Sequence, residues 1–131
     1  MKIFGLNYQY FFCGISAPTA APTILFAHAT SSSSVQFLLS PPRVYYAVFN
    51  VIGYIVQFHE VEEGSTSNGE TYIANVTFSD GNTTAIMTGL KAYREYCLSA
   101  QLINSFGAGP LSYCTNVTTM EDGKNVFLLK L

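Results

Sequence analysis

The sequence predicts an all-β domain, an antiparallel sandwich of seven short strands. Three observations carry that prediction. Aromatic residues make up 15% of the chain, with nine Tyr and ten Phe, and they join many β-branched residues in favouring strands. Apolar and polar residues alternate at period two in one run after another. Clusters of Ser, Gly, Asn and Pro separate the runs, and no stretch carries a convincing helical period. The 131 residues are enough for one domain, and an apolar content of 49% supplies its core.

Residues 1–20 stand apart. Lys2 precedes a mostly apolar stretch, and small residues follow through Ala20, the outline of a secretory signal peptide. Asn7 and Gln9 interrupt the apolar part, so a remnant of a preceding segment is the competing reading. From Pro22 the strand pattern begins. Leu25 and Ala27 mark a first run, and Ser31 to Ser34 form a polar break. Val35, Phe37 and Leu39 alternate with Gln36 and Leu38 until Pro41 and Pro42 stop the strand. Tyr54, Val56 and Phe58 form the next run, followed by a loop from Gly64 to Gly69. The run from Tyr72 to Phe78 closes on Ser79-Asp80-Gly81-Asn82, which predicts a hairpin turn. Ala85, Met87 and Leu90 follow. Tyr96, Leu98, Ala100 and Leu102 then give the longest alternation. Asn104 to Pro110 is a Gly-rich turn, and Thr115, Val117 and Thr119 end the pattern. The domain is expected over residues 22–122, with a C-terminal tail at 123–131.

Composition excludes several classes of function. Net charge is −2 with no basic cluster, which argues against a nucleic-acid footprint. After the first residues, no stretch approaches the length of a membrane span, so membrane attachment is expected only through parts of a longer chain. His28 and His59 lie on different strands with no ligand spacing around them, so no metal is expected. Glu60, Glu62 and Glu63 read as a solvated edge rather than an acid–base pair. No nucleophile elbow, phosphate loop or dinucleotide fingerprint occurs, so neither catalysis nor a cofactor is expected.

Five segments in order resemble a fibronectin type III domain. Ser34 to Pro42 is similar to the family's strand B, and Gly53 to Phe58 to its strand C. Thr88-Gly89-Leu90-Lys91-Ala92-Tyr93-Arg94-Glu95-Tyr96 resembles the corner before strand F. Asn104 to Ser112 resembles the F–G loop, and Val117 to Thr119 the closing strand. The resemblance implies a seven-stranded immunoglobulin-like sandwich in which Leu39, Tyr54, Leu90 and Tyr96 are structural. Tyr96 would bury its ring beside the corner and return its hydroxyl to nearby backbone. Leu39 stands where the family usually has Trp, Ala92 where it usually has Pro, and Arg94 where it usually has Thr.

With strands F and G as hairpin neighbours, Cys97 and Cys114 would both face outward and are expected to form a disulfide. A different register would leave two free thiols. Cys13 lies in the candidate leader. Sequons at Asn75, Asn82 and Asn116 mark candidate N-glycosylation sites, which would make a weakly charged surface polar.

The resemblance also implies an extracellular protein-interaction module of a cell-surface adhesion molecule or receptor, secreted or part of an ectodomain. The partner would be a protein. Phe106 in the F–G loop and Tyr45, Tyr46 and Phe49 in the B–C stretch are the candidate contact residues. A structural spacer is one alternative. A cytokine-receptor-like ligand-binding domain is another, although Trp is absent from the chain.

Overall fold

The computed structural model describes residues 16–42, 50–61 and 70–122. These hold β1 (Thr23–Ala29), β2 (Val35–Ser40), β3 (Gly53–Glu60), β4 (Thr71–Thr77), β5 (Thr83–Met87), β6 (Glu95–Asn104), β7 (Gly107–Ala108) and β8 (Thr115–Thr118). No helix occurs among the described residues, so none there is long and apolar enough to cross a membrane. One antiparallel sheet has the order β1-β2-β5. The other runs β4-β3-β6-β7, with β8 also paired to β6.

The expected seventh strand is present in two pieces, β7 and β8. Pro110 lacks an N–H and interrupts the ladder between them. The Ser112 N–H donates to the Ala100 carbonyl at 2.8 Å, and the Ser112 hydroxyl accepts from the Ala100 N–H at 2.9 Å. A side chain thus replaces the missing strand carbonyl, and the backbone of β6 stays satisfied.

Period-two alternation fills the space between the sheets. Val35, Phe37 and Leu39 of β2 face Tyr54, Val56 and Phe58 of β3 and Tyr96, Leu98, Ala100 and Leu102 of β6, all fully buried. Phe37 meets Phe58 edge-on at 5.4 Å between ring centroids, and Phe58 meets Tyr96 the same way at 6.4 Å. Burying each large apolar side chain contributes roughly 1.5–3 kcal/mol, so this cluster dominates the stability of the fold. Leu39 is fully buried in the core, and Leu90 is 5% exposed at its end.

One local expectation needs correction, and β1 holds an irregularity. The turn at 79–82 does not close a hairpin: β4 pairs with β3 and β5 with β2, so it carries the chain from one sheet to the other. Gly81, with φ 82°, provides the reversal that the Asp-Gly pair signals. Turn chemistry specifies a reversal of direction but not the pairing partner. In β1 the register shifts between Ile24 and Phe26, leaving Leu25 as an extra, exposed residue. The inward face therefore passes from Ile24 to Ala27.

The corner before β6 is built around Tyr96. The Tyr96 ring is fully buried, and its hydroxyl accepts from the Lys91 N–H at 2.9 Å. Tyr93 takes a left-handed φ of 53° to turn the chain. Buried Thr119, just past β8, donates its hydroxyl to the Lys91 carbonyl at 2.6 Å and accepts from the Arg94 N–H at 3.0 Å. The corner is thus held from inside by Tyr96 and from the C-terminal side by Thr119.

Candidate functional site

The two ends of the sandwich differ in chemistry. At the corner end, Glu60 is buried, 3% exposed, which corrects its reading as part of a solvated edge. A buried carboxylate requires compensation. Arg94 Nε lies 3.1 Å from one carboxylate oxygen of Glu60, and Lys91 Nζ lies 3.4 Å from the other. Lys91 also reaches Glu70 at 3.3 Å, and the Tyr72 hydroxyl donates to Glu70 at 2.8 Å. The Tyr72 hydrogen bond and then Lys91 hold the Glu70 carboxyl below its ordinary range. The same hydrogen bond to Glu70 pushes the Tyr72 phenol up to about 12. The bond to Glu70, outweighing partial desolvation, raises Lys91. This end is a network that ties β3 and the approach to β4 to the corner. Glu62 and Glu63 lie outside the described residues.

The opposite end carries loops and, among the described residues, few charges. β6 ends at Asn104, whose backbone pairs with Gly107 of β7, leaving Ser105 and Phe106 as the turn. The Asn104 side-chain oxygen accepts from the Phe106 N–H at 2.8 Å and from the Gly107 N–H at 3.2 Å. This is an Asx-type turn, in which the side chain imitates backbone. The Asn104 amide nitrogen donates to the Ser16 carbonyl at 2.8 Å, and the residue is only 6% exposed. One Asn therefore fixes both the turn and the chain entering the domain. Gly109 allows the same approach: a Cβ there would stand 2.8 Å from the Pro18 carbonyl oxygen. Phe106 projects from this braced turn with 58% of its surface exposed. Ile52, just before β3 and hydrogen-bonded through its N–H to the Ile103 carbonyl, is 59% exposed at the same end. Sequence reasoning chose Phe106 and passed over Asn104, although the pattern Asn-Ser-Phe-Gly carries the Asx signal.

The other candidate residues fall as follows. Cys97 and Cys114 form a disulfide, with Cα atoms 5.5 Å apart. Cys97 pairs in register with Asn116, so Cys114 lies just before β8 on the same outer face. Asn75, Asn82 and Asn116 are all exposed, as are Thr77, Thr84 and Thr118 two residues beyond them. Tyr45, Tyr46 and Phe49 lie outside the described residues. The histidines lie on different sheets: His28 stacks on Phe26 at 5.5 Å, while His59 Nδ1 is 2.8 Å from the Thr71 hydroxyl.

The model of the fibronectin type III domain matches residues 17–118. The chain belongs to that family. Among curated relatives, this fibronectin type III domain is 30% identical over 104 residues to mouse Contactin-3, covering 79% of this chain and 10% of that protein. It is 30% identical over 116 residues to the putative receptor-type tyrosine-protein phosphatase mosPTP-1 of Aedes aegypti, covering 87% of this chain and 8% of that protein. Human cell adhesion molecule DSCAML1 is 27% identical over 107 residues, 82% of this chain and 5% of that protein. The chain thus spans a tenth or less of the length of these relatives. Among solved structures, the fn3 domain of human contactin 1 superimposes with a TM-score of 0.63 at 21% identity, covering 84% of this chain and 85% of that one. The FN5 domain of Drosophila Lar gives 0.61 at 20% identity, covering 80% and 99%. The relatives place the domain among modules of cell-surface adhesion molecules and receptors.

Proposed function

We propose that this domain is an extracellular, non-catalytic protein-interaction module that contacts a protein partner through its loop end, with Phe106 as the anchor. The observation that carries this reading is the exposure of Phe106 on a turn fixed by Asn104. A large ring held in place loses little entropy on binding and buries much apolar area, the combination found at interface hot spots. Ile52 adds exposed apolar surface at the same end. The disulfide supports an oxidising, extracellular setting, and the adhesion-molecule and receptor relatives support a surface role.

One observation favours a second reading, a spacer. Ser16 to Pro18 lie against the F–G loop, so the chain enters the domain beside Phe106. In a multidomain protein, Phe106 would then meet the preceding domain. Binding of the secreted, multimerised domain to intact cells separates the two readings. Phe106→Ala is expected to reduce that binding at least tenfold while leaving the melting temperature unchanged. Equal binding by Phe106→Ala removes Phe106 as anchor, and no cell binding by the parent domain favours the spacer.

A further inference from the structure

Among the described residues, the unpaired sheet edges are those of β1, β4, β5 and the β7–β8 side of β6. An exposed edge is a template for another strand, and proteins usually protect it with charge, proline or a bulge. These edge strands contain no Lys, Arg, Asp or Glu. Among the described residues the charges gather at the corner end, apart from Asp80. Two edges carry other protection: the bulge at Leu25 in β1, and Pro110 between β7 and β8. β4 and β5 carry neither. β4 reads Thr-Tyr-Ile-Ala-Asn-Val-Thr, with five of its seven residues of high strand propensity, no charge, Pro or Gly, and Ile73 53% exposed. That composition is the signature of a segment prone to pair with its own copy.

The sequons fall on these edges. Asn75 lies within β4, Asn82 immediately precedes β5, and Asn116 lies within β8. None falls on a central strand. Asn75 and Thr77 share the exposed outer face of β4, two residues apart, with Ile73 on the same face.

We infer that N-linked glycans at these sites act as edge guards, replacing the missing charges and preventing a second copy of this chain from adding to the sheet. Asn75 is the principal guard, because β4 is the longest edge strand without a bulge or proline. The surface blocked is a two-fold pairing of β4 with β4 of another copy. This inference rests on the extracellular reading, since the glycans are added during secretion.

The test uses the 131-residue chain secreted from animal cells behind a supplied leader peptide. Peptide mass mapping establishes occupancy first, and unmodified Asn75 in secreted material overturns the assignment. Asn75→Gln and Thr77→Ala each remove that glycan by a different change. Both are expected to show a weight-average mass rising towards about twofold with concentration, while the parent glycoform stays monomeric. Adding Ile73→Lys to Asn75→Gln is expected to restore the monomer. Ile55→Lys, on central strand β3 opposite Asn75, is expected not to restore it. Monomeric Asn75→Gln with full occupancy elsewhere overturns the guard while leaving the extracellular reading intact. Equal rescue by Ile55→Lys also overturns it, because the effect would then be general solubility.

Discussion

Tyr96→Phe isolates one interaction at the corner. The substitution removes a single oxygen and keeps the ring that packs edge-on against Phe58 and Tyr72. What is lost is the acceptor, 2.9 Å away, for the Lys91 N–H in a part-buried position. A net hydrogen bond contributes about 0.5–1.5 kcal/mol, and an unsatisfied amide adds to the loss, so the expected cost is about 1–2 kcal/mol. In a domain of about a hundred residues that lowers the melting temperature by about 5–15 °C. Urea unfolding should show the midpoint falling while the slope is unchanged, since the surface exposed on unfolding is the same. Tyr72→Phe is the matched control. Its hydroxyl bonds to exposed Glu70, so its loss should cost no more than about 0.5 kcal/mol. If Tyr96→Phe is as stable as the parent, or if Tyr72→Phe costs as much, the hydroxyl does not brace the corner.

Three further outcomes are expected. Replacing Cys97 and Cys114 together by Ala should lower stability by about 3 kcal/mol in denaturant unfolding, the chain-entropy value for a loop of this size. Leu39→Ala should cost about 2–5 kcal/mol in the same assay, because the side chain is fully buried between the sheets. Ultraviolet titration of the tyrosines should find Tyr72 ionising near 12, and Glu70→Gln should bring it back towards 10. The sign follows from the raised value: the contribution of this bond is complete below about pH 10 and lost as pH rises through about 12. At the acid end the Glu70 contribution holds above its ordinary 4.5 and is lost as pH falls through its depressed value.

The core was legible in the sequence because its signal is local. Val35-x-Phe37-x-Leu39 and the alternation from Tyr96 to Leu102 name the buried face of their strands without reference to any partner. Long-range pairing was not local, and there the reading failed at Asp80-Gly81. The same turn residues serve a hairpin and a crossing between sheets, and only the burial of both faces decides between them. Glu60 was missed for a related reason. A carboxylate at a strand end reads as solvated unless the cations that compensate it are visible, and Lys91 and Arg94 lie more than thirty residues away in sequence. At the loop end, Phe106 was legible as an aromatic residue in a turn. The bond from Asn104 to Ser16 spans 88 residues and leaves no trace in any local pattern.

The disulfide also bears on how the domain responds to force. Tension applied through the chain ends acts on β1 and β8 at the edges of the sandwich. Once the sheets separate, residues 97 to 114 still cannot extend, because their ends stay tied across 5.5 Å at Cα. A free segment with that separation of 17 residues would lengthen to about 60 Å. The bridge therefore withholds roughly 55 Å of contour from the unfolding step. In a string of such domains under load, an oxidised copy yields a shorter, stiffer extension than a reduced one, so thiol chemistry sets how far the assembly stretches before the next domain takes the strain.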